Sequence, residues 1–81
     1  MMLRDVLRDA TQRLQAAGSE SARRDTELLM LAVLGKSAMW LYSHDDQCFL
    51  PEQALRFEAL LQRREQGEPV AHLLGERGFW T

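Results

Sequence analysis

Seven consecutive apolar residues, from Leu28 to Leu34, occupy the middle of this sequence and end at Gly35. A helix that is apolar on nearly every face needs neighbours that cover it on several sides. The chain has 81 residues, which is enough for one modest core and too few for a second lobe. The run is also far shorter than the roughly 18 to 20 residues that span a bilayer. It therefore predicts a central, buried helix and not a membrane anchor.

The segment before this run has the spacing of an amphipathic helix. Its apolar residues share one stripe from Leu3 to Ala17, and Gly18 then supplies a left-handed stop. Asp9 lies one turn before Arg13, which predicts an ion pair on the exposed face of this first helix.

The second and third helices are predicted from their starts and lengths. Ser19 and Ser21 are both candidate N-caps for a helix from Ala22 to Leu34, because a serine oxygen can accept from the free amides of a first turn. Ser37 is a candidate cap for a short helix from Ala38 to about Ser43.

A fourth and a fifth helix follow a polar loop. Pro51 suits a first helical turn, and Gly67 marks the end of that helix after a basic last turn. Pro69 can open a short fifth helix that runs to Gly75. The residues expected to be buried by the fourth helix are Ala54, Phe57, Leu60 and Leu61.

These elements predict an all-α fold, a compact and monomeric bundle of about five helices. The sequence shows no internal repeat and no sustained heptad. The expected core includes Leu7, Leu28, Leu31, Phe57 and Leu61.

Charge and cysteine content argue against several classes of protein. Ten basic and twelve acidic residues give a formal net charge of −2, which favours neither nucleic acid nor an anionic membrane as a partner. No helix has the basic face of a DNA-recognition helix. The single cysteine, Cys48, cannot form an internal disulfide, so the cytoplasm is the expected compartment.

The sequence contains no pattern of an enzyme active site, such as a glycine-rich phosphate loop or a nucleophile elbow. The nearest approach to a metal cluster is the segment 44–48, but its His, Asp and Cys residues mix ligand preferences and favour a solvated loop. His72 is expected to be a packed histidine, and Trp40 and Tyr42 are expected to anchor the core. The pairs Arg23-Arg24 and Arg63-Arg64 are expected to lie on solvated faces.

Two sequence blocks nevertheless stand out. The first is Arg24-Asp25-Thr26-Glu27-Leu28-Leu29, in the predicted second helix. The second runs from Gly67 through Glu68, Pro69 and His72 to Gly75, and is followed by Phe79 and Trp80. In order and spacing, across nearly the whole chain, these blocks resemble the release factor glutamine methyltransferases known as HemK or PrmC, a family with a related first block in its second helix.

The resemblance implies the N-terminal domain of an enzyme that transfers a methyl group from S-adenosylmethionine to the glutamine of a Gly-Gly-Gln loop in peptide-chain release factors. In that family the cofactor and catalytic residues belong to a Rossmann-like domain after the linker, so no catalytic, cofactor-binding or metal residue is assigned here. Residues 1–75 are expected to form the domain that recognises the release factor, and residues 76–81 to begin the linker. The residues expected to face the catalytic domain are Gly67, Glu68, Pro69, Gly75, Phe79 and Trp80.

Two alternatives remain open from the sequence. The parent enzyme could act on another translation protein, such as a ribosomal protein. The chain could also be a stand-alone helical adaptor that belongs to no enzyme. A reading frame that continues through a glycine-rich strand-turn-helix and an Asn-Pro-Pro-Tyr motif would exclude the adaptor.

Overall fold

A computed structural model describes residues 1–75 and confirms the expected helical bundle. Its five helices are α1 (Leu3–Ala16), α2 (Ala22–Leu34), α3 (Ala38–Ser43), α4 (Pro51–Glu65) and α5 (Val70–Gly75). The second helix, α2, contacts each of the other four. The apolar run is therefore at the centre of the fold, as the sequence predicts.

The buried face of α2 follows a strict helical stripe. Its members are Ala22, Asp25, Thr26, Leu29, Met30 and Val33, with Ala32 buried beside them. The expected core positions Leu28 and Leu31 are only half-buried, so that part of the prediction is wrong. At 3.6 residues per turn they lie on the face of α2 opposite to this stripe, where they are partly buried and pack against the core. None of the helices in residues 1–75 is long and apolar enough to cross a membrane.

The remaining core comes from all four surrounding helices. It consists of Leu3, Leu7, Ala10 and Leu14 of α1, Leu41 of α3, Phe57 and Leu61 of α4, and Leu73 and Leu74 of α5. Leu60 is half-buried. Ala54 was expected to be buried, but it is exposed. Ala54 lines a surface groove between α1 and α4, where its small side chain leaves space unfilled.

The first turn of α1 is capped by backbone and not by a side chain. The amide of Leu3 donates to the carbonyl of Gln47 at 2.7 Å, and the amide of Arg4 donates to the carbonyl of Asp45 at 3.0 Å. The loop before α4 thereby satisfies two of the amides that a helix start leaves without partners. This pairing fixes the loop against α1.

Two later helices begin with side-chain hydrogen bonds. The hydroxyl of Ser37 accepts from the amide of Trp40 at 3.2 Å, which confirms the predicted cap of α3. At the start of α4, the side-chain oxygen of Gln53 accepts from the amide of Leu50 at 2.9 Å. Pro51 occupies the first helical position, where its missing amide costs nothing.

Glycines in the left-handed region end α1 and α4. Gly18 has φ 95° and Gly67 has φ 106°, and the chain after each helix reverses through the same pair of hydrogen bonds. At α4, the amide of Gly67 donates to Arg64 and the amide of Glu68 donates to Arg63, which is a Schellman motif. Gly67 therefore sets the direction in which the chain leaves α4.

We expect Leu29→Ala to lower the free energy of unfolding by about 2 to 5 kcal/mol, because Leu29 is fully buried on the central helix and truncation leaves a cavity. Urea denaturation of the 81-residue chain, followed by circular dichroism, measures this loss. Leu55→Ala is the matched control, since Leu55 is 74% exposed and its truncation should change stability by less than about 0.5 kcal/mol. Equal losses in the two variants would contradict the central position of α2.

Candidate interaction surfaces

A buried ion pair joins the start of α2 to the end of α4. Asp25 is 7% exposed, and its carboxylate accepts a hydrogen bond from Nε of Arg64 at 3.0 Å. The hydroxyls of Ser19 and Ser21 also donate to this carboxylate, at 3.1 and 3.2 Å. A buried carboxylate is tolerated when a cation and hydrogen-bond donors surround it, and Asp25 has both.

This pair corrects two expectations from the sequence. Ser19 and Ser21 do not cap α2 through their side chains, because their hydroxyls are turned to Asp25. Arg64 does not lie on a solvated face, since only 19% of its side chain is exposed. A signal was present in the sequence, because Asp25 falls on the i, i+3, i+4 stripe of Ala22 and the buried residues that follow.

A second ion-pair cluster joins α1 to α4. Arg13 donates to both oxygens of Glu58 at 2.9 Å and to Glu65 at 2.7 Å. Its hydrogen bonds lower the pKa of Glu58, and the two carboxylates, Glu58 first, raise the pKa of Arg13. The predicted pair of Arg13 with Asp9 is wrong, because these long-range carboxylates occupy the guanidinium and Asp9 pairs with Arg8.

The turn between α4 and α5 contains three of the residues singled out from the sequence, and a fourth, Gly75, ends α5. Gly67 forms the reversal, and Glu68 accepts from Nη2 of Arg63 at 2.8 Å, which lowers the pKa of Glu68. The carbonyl of Pro69 accepts the first amide hydrogen bonds of α5, and Gly75 is its last residue. The structure thus brings Gly67, Glu68 and Pro69 together, while Phe79 and Trp80 lie outside the described residues.

Apolar grooves lie on both sides of α4. The α1/α4 groove has a volume of about 440 Å³ and is lined mainly by Val6, Ala10, Phe49, Ala54 and Phe57, with Met1, Cys48 and charged side chains at its edges. The α4/α5 groove has a volume of about 260 Å³ and is lined by Ala32, Arg56, Ala59, Leu60, Arg63, Leu73 and Leu74. Both are open surface features that another protein segment could enter.

The aromatic residues of α3 are more exposed than expected. Trp40 is half-buried and stacks on His44 with ring centroids 4.4 Å apart. Tyr42 is 59% exposed and donates to Glu27 at 3.1 Å, a hydrogen bond that raises the pKa of Tyr42. The expectation that Tyr42 anchors the core is therefore wrong, because Leu41 fills that role.

Two further expectations concern histidine and metal. His72 is exposed, with Nε2 3.9 Å from Glu68, so it is not a packed core residue. Cys48 is exposed as well. In the part of the chain that the structure describes, no three His, Cys, Asp or Glu side chains are grouped in a way that could hold a metal ion.

One family model matches nearly all of this chain. The chain belongs to the PrmC N-terminal domain family, whose model matches residues 5–75. The matched region therefore contains both ion-pair clusters and all five helices except the first two residues of α1.

Relatives with known names are similar over most of this chain. It is 48% identical over 66 residues to the release factor glutamine methyltransferase of Shewanella oneidensis, covering 82% of this chain and 23% of that protein. The corresponding protein of Escherichia coli K12 is 44% identical over 75 residues, covering 93% and 26%. That of Rhodospirillum rubrum is 44% identical over 80 residues, covering 99% and 25%. The chain thus spans about a quarter of the length of these relatives. No solved structure matches it with statistical significance.

We expect Arg64→Ala to lower the free energy of unfolding by about 2 to 4 kcal/mol, because it leaves the Asp25 carboxylate buried without its cation. The cost falls below that of a fully buried pair since Ser19 and Ser21 still donate. Arg24→Ala, at an exposed position of the same helix as Asp25, should cost less than about 0.5 kcal/mol. Urea denaturation of both variants measures the difference, and a near-neutral Arg64→Ala would refute the structural role of the pair.

Proposed function

We propose that this chain is the substrate-docking domain of an S-adenosylmethionine-dependent protein-glutamine methyltransferase that acts on peptide-chain release factors. The observation that carries the proposal is membership of the PrmC N-terminal domain family together with relatives named release factor glutamine methyltransferase. The methylated residue would be the glutamine of the Gly-Gly-Gln loop. The enzyme would work in the cytoplasm, where release factors act.

A docking domain addresses a physical problem of this reaction. A glutamine on a short exposed loop offers a catalytic pocket little binding surface, so affinity and orientation have to come from a second contact. The bundle is suited to provide one, because ion pairs from Arg13 and Arg64 hold α4 against α1 and α2. A face that is rigid before binding loses less entropy when a partner docks.

We assign different tasks to the two parts of the chain. Residues 1–75 would contact the release factor, and residues 76–81 would begin the linker to a catalytic domain that holds the cofactor. The residues that face that domain would be Gly67, Glu68, Pro69, Gly75, Phe79 and Trp80. The Schellman turn at Gly67 and the Arg63 ion pair with Glu68 support this assignment, since they fix the path of the chain into α5.

Deleting the bundle from the whole enzyme should lower kcat/KM for an intact release factor much more than for a short peptide that contains Gly-Gly-Gln, because the peptide is too short to reach the bundle. A docking surface worth about 2 to 3 kcal/mol predicts a loss of about 30- to 150-fold for the protein substrate. The value of kcat/KM for the peptide should change less than about threefold, which corresponds to a small change in activation free energy.

The comparison requires a truncated enzyme that is folded and binds S-adenosylmethionine as tightly as the whole enzyme does. One shortened enzyme should lack residues 1–80. A second, which lacks only residues 1–75 and so keeps Phe79 and Trp80, shows whether these two residues support the catalytic domain. Equal losses for protein and peptide in both truncations would refute docking and leave the bundle as a structural support.

A further inference from the structure

The two grooves lie on opposite sides of α4. Positions 54, 57, 58 and 61 line the α1/α4 groove, and positions 56, 59, 60 and 63 line the α4/α5 groove. With 3.6 residues per turn, these two sets face nearly opposite directions. The sequence continues from α5, whose Leu73 and Leu74 line the α4/α5 groove. The α1/α4 groove therefore faces away from the point at which the chain continues.

The α1/α4 groove combines an apolar floor with a charged edge. Phe57 is buried beneath it, and the ring of Phe49 lies 5.3 Å from that of Phe57, so the floor is partly aromatic. Ala10 and Ala54 contribute small side chains from the two facing helices. The opening between them has room for a bulky apolar side chain from another protein.

Charged groups of both signs lie along the edge of this groove. Those that line it are the carboxylates of Asp9 and Glu58, the guanidinium of Arg13 and the amino group of Met1, which balance in charge. Ion pairs join Asp5, Arg8 and Glu65 to them, and this wider set has one more carboxylate than cationic groups. Complementary potentials favour a partner with basic side chains at this edge.

We propose that the α1/α4 groove is the surface that binds the release factor, and that its occupant is a release factor segment with a bulky apolar side chain flanked by Lys or Arg. This inference rests on the proposed docking function and adds the surface and the chemistry of the contact. The apolar side chain enters between Ala10 and Ala54, and the basic side chains lie against Asp9 and Glu58. The other large exposed apolar residues, such as Met39 and Tyr42 of α3, are outside this contact.

Variants of Ala54 in the whole enzyme test the proposal, because this exposed alanine lines the groove. Ala54→Arg blocks the opening and places a positive charge among basic side chains of the partner. Ala54→Glu blocks it equally but adds an attractive charge. Ala16→Arg is the matched control, an exposed alanine at the end of α1 that is not among the lining residues. Each variant is assayed for kcat/KM with intact release factor and with the Gly-Gly-Gln peptide.

We expect Ala54→Arg to lower kcat/KM for the release factor at least tenfold, Ala54→Glu to lower it less, and Ala16→Arg to stay within twofold of the original enzyme. The peptide rate should be unchanged in all three. If the bundle deletion discriminates between protein and peptide but Ala54→Arg behaves like Ala16→Arg, the groove assignment fails while docking stands. If Ala54→Glu is as damaging as Ala54→Arg, the basic partner is refuted.

Discussion

The carboxylate of Asp25 is the constraint on which the other contacts of the bundle depend. A charge buried at the start of the central helix needs a cation, and the cation comes from Arg64 at the far end of α4. This requirement fixes α4 against α2 at one point and in one register. Hydrophobic burial alone is non-directional and would leave that register weakly specified.

Several features follow from the position of α4. Arg13 meets Glu58 and Glu65 because α4 lies beside α1 in this register, and the α1/α4 groove forms where the facing side chains are small. At the same end of α4 as Arg64, the turn at Gly67 is closed by hydrogen bonds to the carbonyls of Arg63 and Arg64. The direction of α5, and with it the exit of the chain, is therefore linked to the same ion pair.

Much of the fold could be predicted because it depends on local rules. Helical periodicity and the stops at Gly18, Gly35 and Gly67 place all five helices within a residue or so of their bounds. The depth of burial was less predictable. Leu28 and Leu31 are as apolar as Leu29, and only the arrangement of the neighbouring helices decides which of them is covered.

Interactions between distant residues were the part that the sequence did not predict. Arg13 and Asp9 have ideal helical spacing, yet carboxylates 45 and 52 residues away from Arg13 bind it instead. The α1/α4 groove could not be predicted from the sequence for the same reason. The sequence blocks indicate the family, but a groove made from Ala10, Phe49 and Ala54 depends on three segments that meet only in the folded chain.

A release factor that occupies the α1/α4 groove should shield Cys48, so the alkylation rate of this thiol reports whether the groove is the binding surface. This thiol is exposed and lines the groove, so it reports on occupancy without any change to the groove itself. In the whole enzyme, the peptide containing Cys48 can be followed by mass spectrometry during reaction with iodoacetamide. Saturating release factor should slow this alkylation at least tenfold, whereas the Gly-Gly-Gln peptide should leave it unchanged. An unchanged rate at saturation with release factor would contradict binding in this groove.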